Sequence, residues 1–430
     1  MASLLALPQE LTLQVLQLLE FGDKISLSVT CKHYRAQLAP YIFKTIRFTN
    51  DERVAQSALE AIEAHGQYTT RIDFKAHCEP NDEITVPSFT LAAAKILQGH
   101  LTPNLSTVSL KFDFDFDNGD EWNEEEDGFD GTSIYVFHGV ETEEQVRDRE
   151  ERWQWRALMN ETWRALAANI HVRELVLDEF IPKWTSTFRT EEFRQFLSRL
   201  ESATFNILGM DNGAGWRTST EEGYTEFLSD LDTPFFHHMT GLKHLTIYTS
   251  DHLGLEGMNH TTLALKPEDL PLLESLKLKR CFVGPELVSF ICGHTQILRS
   301  LDIKECASGG NNGSADNGIS WAEFFDSVYE VKPALTELIA GDGHYVWYEE
   351  DLPPDYEFRD DERENIQYIR RKLKADPKLR LFRYSYVDDK YGWLSFDEEK
   401  GEEEFKSGND QKAYDRLIDL VNENAAKAKQ

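Results

Sequence analysis

Apolar residues near the start of the chain recur at helical spacing and predict short helices. In LPQELTLQVLQLLEF, a helix that begins at Pro8 places four apolar residues along one face: Leu11, Val15, Leu18 and Leu19. Gly22 ends this helix, and Asp23 can cap a second helical stretch, DKISLSVTCKHYRAQL. A unit of about 40 residues is near the lower limit for independent folding. Its surplus apolar surface therefore needs cover from the rest of the chain or from another protein.

The rest of the chain shows a different pattern, short apolar alternations that predict β-strands. Two segments, LESLKLKRC from Leu273 and LRSLDIKEC from Leu298, both read L-x-x-L-x-[LI]-x-x-C. They start 25 residues apart, which is within the spacing of a leucine-rich repeat. Weaker copies of the first six positions start at Phe43, Thr69, Leu105, Val172, Leu200, Leu242, Leu335 and Leu379. Each start predicts one strand of an irregular repeat.

Helical stretches separate these predicted strands. They lie at residues 51–66, 142–169, 190–200, 284–294, 320–331 and 362–376. Thr142 with Gln145, and Ser320 with Glu323, have the spacing of a capping box at two of the helix starts. The alternation predicts an α/β fold with short parallel strands on a concave side and helices on the outer side. Its predicted parts are a three-helix unit over 1–42, an irregular leucine-rich-repeat-like solenoid over 43–406, and a C-terminal helix over 407–430 that could cap the solenoid.

Acidic or glycine-rich insertions interrupt the repeat, at about 113–131, 307–318 and 349–362. In the first, four carboxylates have the spacing of an EF-hand calcium loop: Asp113, Asp115, Asp117 and Glu124. The turn position holds Asn118 instead of glycine, and a strand-like segment precedes the loop. A solvated acidic loop is therefore the favoured interpretation. We predict neither a metal site nor another cofactor.

The charge of the chain indicates which classes of partner to expect. Of 430 residues, 76 are acidic and 45 are basic, which gives a formal net charge of −31. Such a surface repels nucleic-acid phosphates and anionic membranes. No apolar stretch approaches the roughly 20 residues of a membrane span, and the N-terminus lacks the basic region of a secretory signal. We therefore expect no nucleic-acid or membrane partner, and a location in the cytosol, the nucleus or both.

The five cysteines are odd in number and widely spaced, which does not predict a disulfide framework. Cys31 lies two residues before His33 and near two cationic residues, so a reactive thiol, half of a metal site and an ordinary helical turn all fit the residue types. Cys281 and Cys306 end the two clearest repeats, where small buried thiols are the simplest interpretation. The chain contains no G-x-S-x-G or H-E-x-x-H motif, and we predict no catalytic residue.

The stretch from Leu7 to Arg35 resembles an F-box. It has, without a gap, a Leu-Pro-x-Glu-Leu start, a hydrophobic helix that ends in Leu, and a Val-x-Cys-Lys-x-aromatic-Arg end, with Tyr34 where tryptophan is commonest. The resemblance implies a module that docks on the Skp adaptor of a cullin-RING (SCF) ubiquitin ligase, with Cys31 as a small apolar contact. The implied adaptor contacts are Leu7, Pro8, Leu11, Val15, Leu19, Ile25, Leu27, Val29, Cys31, Lys32 and Tyr34.

An F-box followed by such repeats resembles the F-box leucine-rich-repeat proteins, and the diverged form with insertions resembles those of filamentous fungi. The resemblance implies a non-catalytic substrate-recognition subunit, which Skp links to a cullin and whose body binds the target protein. A scaffold or Skp-binding protein outside a ubiquitin ligase is the alternative. The predicted target-binding residues on the concave side are Tyr248, Lys277, Lys279, Asp302, Lys304 and Arg383. The three lysines predict a basic patch for an acidic or phosphorylated target.

Overall fold

A computed structural model of the chain describes residues 8–78, 89–114, 133–255, 261–311, 318–341 and 360–429. Helices and strands alternate along most of this part of the chain. The helices are α1 (Gln9–Leu18), α2 (Phe21–Ser28), α3 (Lys32–Ile42), α4 (Glu52–His65), α5 (Leu91–Gln98), α6 (Glu143–Arg152), α7 (Gln154–Ala167), α8 (Glu191–Ser198), α9 (Glu222–Ser229), α10 (Pro285–Gly293), α11 (Trp321–Glu330), α12 (Asp360–Ala375), α13 (Glu398–Ser407) and α14 (Asn409–Ala428). The strands are β1 (Thr45–Thr49), β2 (Arg71–Cys78), β3 (Thr107–Phe114), β4 (Glu174–Phe180), β5 (Ser202–Ile207), β6 (His244–Leu253), β7 (Ser275–Phe282), β8 (Ser300–Asn311), β9 (Glu337–Ile339), β10 (Arg383–Val387) and β11 (Leu394–Phe396).

The eleven strands of the described residues form one sheet. β1 to β8 lie side by side in chain order, and each neighbouring pair is parallel. β8 pairs with β9 through its first residues and with β10 through its last five, while β11 runs antiparallel to β10. The ten strands predicted from the repeat starts are therefore confirmed, and the sheet with its helices is compatible with a solenoid-like body. β11 is additional to the predicted strands.

The apolar repeat positions form the core. The fourth residues of nine of the ten repeats lie in one buried row, in matched register across nine strands: Ile46, Ile72, Val108, Leu175, Ala203, Leu245, Leu276, Leu301 and Leu338. This row and the packed helices belong to one hydrophobic core. Each large side chain buried there stabilises the fold by about 1.5–3 kcal/mol. Because successive side chains of a strand point to opposite faces, the alternate residues from Thr45 on β1 to Asp302 on β8 form a second face, the polar face.

The predicted helices are confirmed with two changes. α1 ends at Leu18, and Gly22 and Asp23 lie inside α2, so Gly22 does not end the first helix and Asp23 does not cap the second. Residues 142–169 form two helices, α6 and α7, because Trp153 between them has an extended backbone. Both predicted capping boxes, Thr142 with Gln145 and Ser320 with Glu323, are present. α5, α9 and α13 are additional to the predicted helices. None of the described helices is long and apolar enough to span a membrane.

The predicted insertion at 307–318 is wrong in its first part. Residues 307–311 continue β8 and pair with β10. Gly309 has φ 151°, and a Cβ atom there would lie 1.8 Å from the Ser385 carbonyl oxygen, so only glycine allows the two strands to approach. Residues 312–317 lie outside the described part of the chain. The same holds for 115–132 and 342–359, which contain most of the other two predicted insertions.

A buried charged cluster joins α6 and α7 to the segment after β4. Glu141 is 8% exposed and accepts hydrogen bonds from Arg149 and from Arg156, the latter at 2.6 and 3.1 Å. Lys183 Nζ lies 3.4 Å from the same carboxylate. Arg156 is fully buried and also donates to the Trp184 carbonyl oxygen at 2.8 Å. Burial alone would raise the pKa of Glu141, but the charges of Arg156 and Lys183 hold it well below its ordinary value.

Two loops at the carboxyl ends of the strands meet across the sheet, at residues 215–217 after β5 and 391–393 between β10 and β11. The Arg217 N–H donates to the Tyr391 carbonyl oxygen at 3.0 Å, and the Arg217 guanidinium lies 4.8 Å from the centre of the Trp393 ring. Trp393 Nε1 donates to the Gly215 carbonyl oxygen. The rings of Trp216 and Tyr391 meet edge to face, with centres 5.3 Å apart. We call this the cross-sheet contact, since β6, β7 and β8 lie between the strands that it joins.

The C-terminal helix α14 is joined to the body through Asp410. Its carboxylate is 3% exposed and accepts hydrogen bonds from the Ala322 N–H at 2.9 Å and from the Tyr384 hydroxyl at 2.8 Å. Asp410 therefore connects the starts of α11 and α14 to β10. Burial raises the pKa of Asp410 to about 6. That α14 caps a solenoid stays a prediction.

Replacement of Asp410 by asparagine should change how stability depends on pH. The folded-state pKa of about 6 exceeds the ordinary value of 3.8, so the native state binds more protons than the unfolded state between these values. Through this group, the free energy of unfolding should fall by about 1–3 kcal/mol as the pH rises from about 4 to about 7. Asparagine cannot ionise, so urea unfolding at the two pH values should show the variant gaining stability relative to wild type. A difference independent of pH would contradict this role of Asp410.

Candidate functional site

The first three helices build a small core of their own. Leu16 of α1 and Tyr34 and Leu38 of α3 are at most 5% exposed and form a cluster separate from the core of the sheet. Partly buried residues surround this cluster: Leu19, Leu27, Cys31, Tyr41 and Ile42. After α3 the chain enters the body at Phe43, whose ring stacks on His65 with centres 4.1 Å apart. The inward apolar positions of the three helices are thus satisfied locally.

Other apolar side chains of these helices point to solvent. At and just beyond α2, Phe21, Ile25 and Val29 are spaced four residues apart on one face and are 52%, 42% and 66% exposed. On α1, Leu11 is 47% exposed and Leu18 is 85% exposed. We name these five side chains the outer apolar residues. Large apolar side chains that are exposed together on one module mark protein-binding surfaces.

The predicted adaptor contacts differ in exposure. The exposed ones are Pro8, Leu11, Ile25, Val29 and Lys32, and the half-buried ones are Val15, Leu19, Leu27 and Cys31. Leu7 lies outside the described residues. Leu18 and Phe21 are exposed but absent from the predicted set. Leu18 follows Leu11 by seven residues, and Phe21 precedes Ile25 by four. This helical spacing is the sequence signal that could have identified them.

A comparison with known protein families assigns this module. The family of the F-box domain matches residues 4–39. This match supports an F-box protein. It covers under a tenth of the chain, and no curated protein matches the chain as a relative. F-box domains are generally the Skp-binding modules of SCF ubiquitin ligases, so the F-box implies a Skp-type adaptor as partner.

Tyr34 of the F-box does not lie where the resemblance implies. As an adaptor contact it should be accessible, but its side chain is 5% exposed and packs inside the local core with Leu16 and Leu38. Tyr34 therefore stabilises the F-box as part of its core. Cys31 precedes α3 with an extended backbone and packs partly buried against the same core. This placement favours an ordinary structural cysteine over a reactive thiol.

The polar face of the sheet is the second candidate surface. Four of the predicted target-binding residues lie on it: Tyr248, Lys277, Lys279 and Asp302. Lys277 Nζ lies 2.6 Å from Asp302 Oδ2, and Lys279 Nζ lies 2.7 Å from Glu305 Oε1. The Tyr248 hydroxyl accepts a hydrogen bond from Arg280 at 3.3 Å. These ion pairs balance the lysine charges, so the predicted patch of free cations does not form there.

Lys304 does not join the other two lysines, because β8 is irregular after Asp302. Lys279 pairs in register with Glu305, one residue beyond the predicted position. The Lys304 N–H donates to Asp302 Oδ1 at 3.2 Å, at the point where the register between β7 and β8 shifts. The Lys304 side chain is exposed and lines a separate groove. Arg383 is half-buried on β10 opposite Ala307, and target binding by all these residues stays a prediction.

The two repeat cysteines are buried thiols. Burial raises the pKa of Cys306 to about 12 and the pKa of Cys281 well above its ordinary value. Cys281 Sγ donates to the Lys279 carbonyl oxygen at 3.5 Å, and Cys306 Sγ donates to the Leu278 carbonyl oxygen at 3.4 Å. The simple structural interpretation of both is confirmed.

No group of three or more His, Cys, Asp or Glu side chains is placed to hold a metal ion in the described ranges. Of the four residues with EF-hand spacing, Asp113 lies on β3. Its carboxylate lies 2.6 Å from Lys75 Nζ on the neighbouring strand β2. The other three, Asp115, Asp117 and Glu124, lie outside the described residues.

Proposed function

We propose that this protein is the substrate-recognition subunit of an SCF-type (Skp–cullin–F-box) ubiquitin ligase. The observation that supports this most is the set of outer apolar residues, which stay exposed on a segment that matches the F-box domain. In this proposal the F-box holds Skp, Skp connects the chain to a cullin, and the body binds the target. The chain itself contributes no catalytic residue. It places the target beside the conjugating enzyme and thereby raises the effective concentration.

The body fits this role as an irregular leucine-rich-repeat solenoid. Its strands follow one another in chain order with the repeat leucines buried, which supports this interpretation. The polar face, which includes Tyr248, Lys277, Lys279 and Asp302, would then be the concave surface that contacts the target. The reducing cytosol or nucleus is the proposed location, since the five cysteines of the sequence need no pairing there.

Reconstitution with purified partners tests the proposal. The full-length chain should form a stable complex with a Skp adaptor, and it should bind a cullin only when Skp is present. Size-exclusion chromatography with light scattering reports the composition of each complex. Binding of Skp without recruitment of the cullin would instead favour a non-catalytic scaffold or Skp-binding protein outside a ubiquitin ligase.

Targets are identified by a comparison of two baits. A target should bind both the wild-type chain and a variant that cannot bind Skp, because the body is unchanged. It should be ubiquitylated only with the wild-type chain. Proteins captured only through Skp would be excluded as targets by this difference.

A further inference from the structure

A groove beside the end of the sheet has a basic lining. It has a volume of about 940 Å³ and lies between β9, α12 and α14. Its charged lining residues are Lys304, Arg370, Lys374 and Arg380. No aspartate or glutamate is among the described residues that line it, although acidic residues outnumber basic ones 76 to 45 in the chain. The described lining is therefore basic, although the chain as a whole is acidic.

Apolar side chains form the floor of this groove. Leu338, Leu373 and Tyr414 are buried there, and Ile339 is 39% exposed. The volume lies within the range of about 300–1,000 Å³ that is common for ligand sites. An apolar floor with a charged rim suits a ligand that combines an apolar side chain with groups of opposite charge.

We propose that the groove binds an acidic segment of a partner protein, in which aspartate and glutamate residues flank an apolar side chain. The four cations come from three parts of the chain: Lys304 on β8, Arg370 and Lys374 on α12, and Arg380 after α12. Charges spread over separate elements match a run of carboxylates. A single phosphate group is bound most strongly by several donors that converge on one point.

The positions of the basic side chains favour such a ligand. Arg380 Nη1 donates to the Pro377 and Leu379 carbonyl oxygens at 2.8 and 2.9 Å, which fixes this guanidinium at the edge of the groove. Arg370 and Lys374 are exposed and one helical turn apart, so they lie on the same face of α12. Charges of the chain that lie farther from the groove than the Debye length, about 10 Å at 0.1 M ionic strength, are largely screened. The net charge of −31 therefore opposes the binding of an acidic ligand only weakly.

The identity of the partner rests on the proposed function, since an acidic segment bound here would belong to the target of the ligase. Binding in the groove, however, requires neither Skp nor a cullin. The proposed groove site and the proposed role of the F-box can therefore be tested in separate experiments.

A labelled peptide measures this binding directly. The probe is a fluorescein-labelled peptide with one central leucine flanked on both sides by alternating glutamate and aspartate, and fluorescence anisotropy with the full-length protein gives its Kd. The Arg370→Glu/Lys374→Glu variant should bind at least about tenfold more weakly, because two charge-assisted contacts become repulsive. The matched control is Arg53→Glu/Lys95→Glu, which makes the same change of charge at exposed residues of α4 and α5, outside the groove lining and near the other end of the sheet. Its Kd should change by less than about twofold.

Several results would overturn the proposal. Absence of binding to the wild-type protein, or equal weakening by both pairs of substitutions, would exclude a specific acidic-peptide site. Tighter binding of a peptide with one phosphoserine and no acidic residue would indicate a phosphate site. Tighter binding of a peptide of residues 342–359, which contains six carboxylates, would assign the groove to the chain itself. The groove variant should still bind Skp as wild type, which separates failure of this proposal from failure of the proposed function.

Discussion

Replacement of Ile25 and Val29 of the F-box together by glutamate is expected to weaken Skp binding by at least about a hundredfold. Ile25 on α2 and Val29 just beyond it lie on the same face and are 42% and 66% exposed, where a partner would bury them. A glutamate in that position would become a buried, unpaired charge in the complex, which is strongly unfavourable. Isothermal titration calorimetry with purified Skp measures the change in Kd.

The free protein should tolerate this double substitution. Ile25 and Val29 lie outside the local core of the F-box, so the free energy of unfolding should change by less than about 0.5 kcal/mol for each. Val54→Glu/Leu91→Glu is the matched control, because Val54 on α4 and Leu91 on α5 are 43% and 79% exposed but belong to the body. The control should bind Skp as wild type. Skp binding that survives in the F-box variant, or is lost in both variants, would contradict the assignment of the adaptor surface.

Replacement of Glu141 by glutamine should lower the free energy of unfolding by about 3–5 kcal/mol. The carboxylate is buried, and it is the acceptor for the fully buried Arg156. Glutamine retains the size of the side chain but leaves Arg156 and Lys183, which are 0% and 4% exposed, without this negative charge. Chemical unfolding followed by circular dichroism measures the loss.

An exposed glutamate nearby provides the control for Glu141. Glu143→Gln removes a solvent-exposed partner of Arg147 and should change the free energy of unfolding by less than about 1 kcal/mol. The pH dependence gives a second test. The folded-state pKa of Glu141 lies below its ordinary value of 4.5, so its contribution is present above that pH and is lost as the pH falls further. Wild type should therefore lose stability on acidification more steeply than Glu141→Gln, and parallel pH profiles would argue against the buried charge.

The strands could be predicted from the sequence because each one buries the same repeat positions. The leucines at the first position, from Leu105 to Leu335, are almost completely excluded from solvent. The helices were harder to predict where they are short. α5 has a cap from Thr90 and a run of alanines, a signal that was available, whereas α9 contains Gly223 and no side-chain cap.

The candidate surfaces depend on tertiary structure that sequence spacing does not contain. The apolar residues of the F-box could be located, but not which of them point inward: Tyr34 is buried while Ile25 is exposed. On the sheet, the register between β7 and β8 shifts after Asp302, where the Asp302 side chain accepts the Lys304 N–H. Lys279 therefore pairs with Glu305, and Lys304 lines a separate groove.

The cross-sheet contact changes how the body should unfold. In repeat proteins each unit contacts only its neighbours, so such chains can open stepwise from an end. Here Arg217, after β5, is held by residues between β10 and β11, and those strands are four places apart in the sheet. The C-terminal strands cannot separate without breaking their contact with the middle of the body. The second half of the sheet should therefore open in one cooperative step. In the folded protein, the same contact keeps the polar face and the basic groove in a fixed relative position.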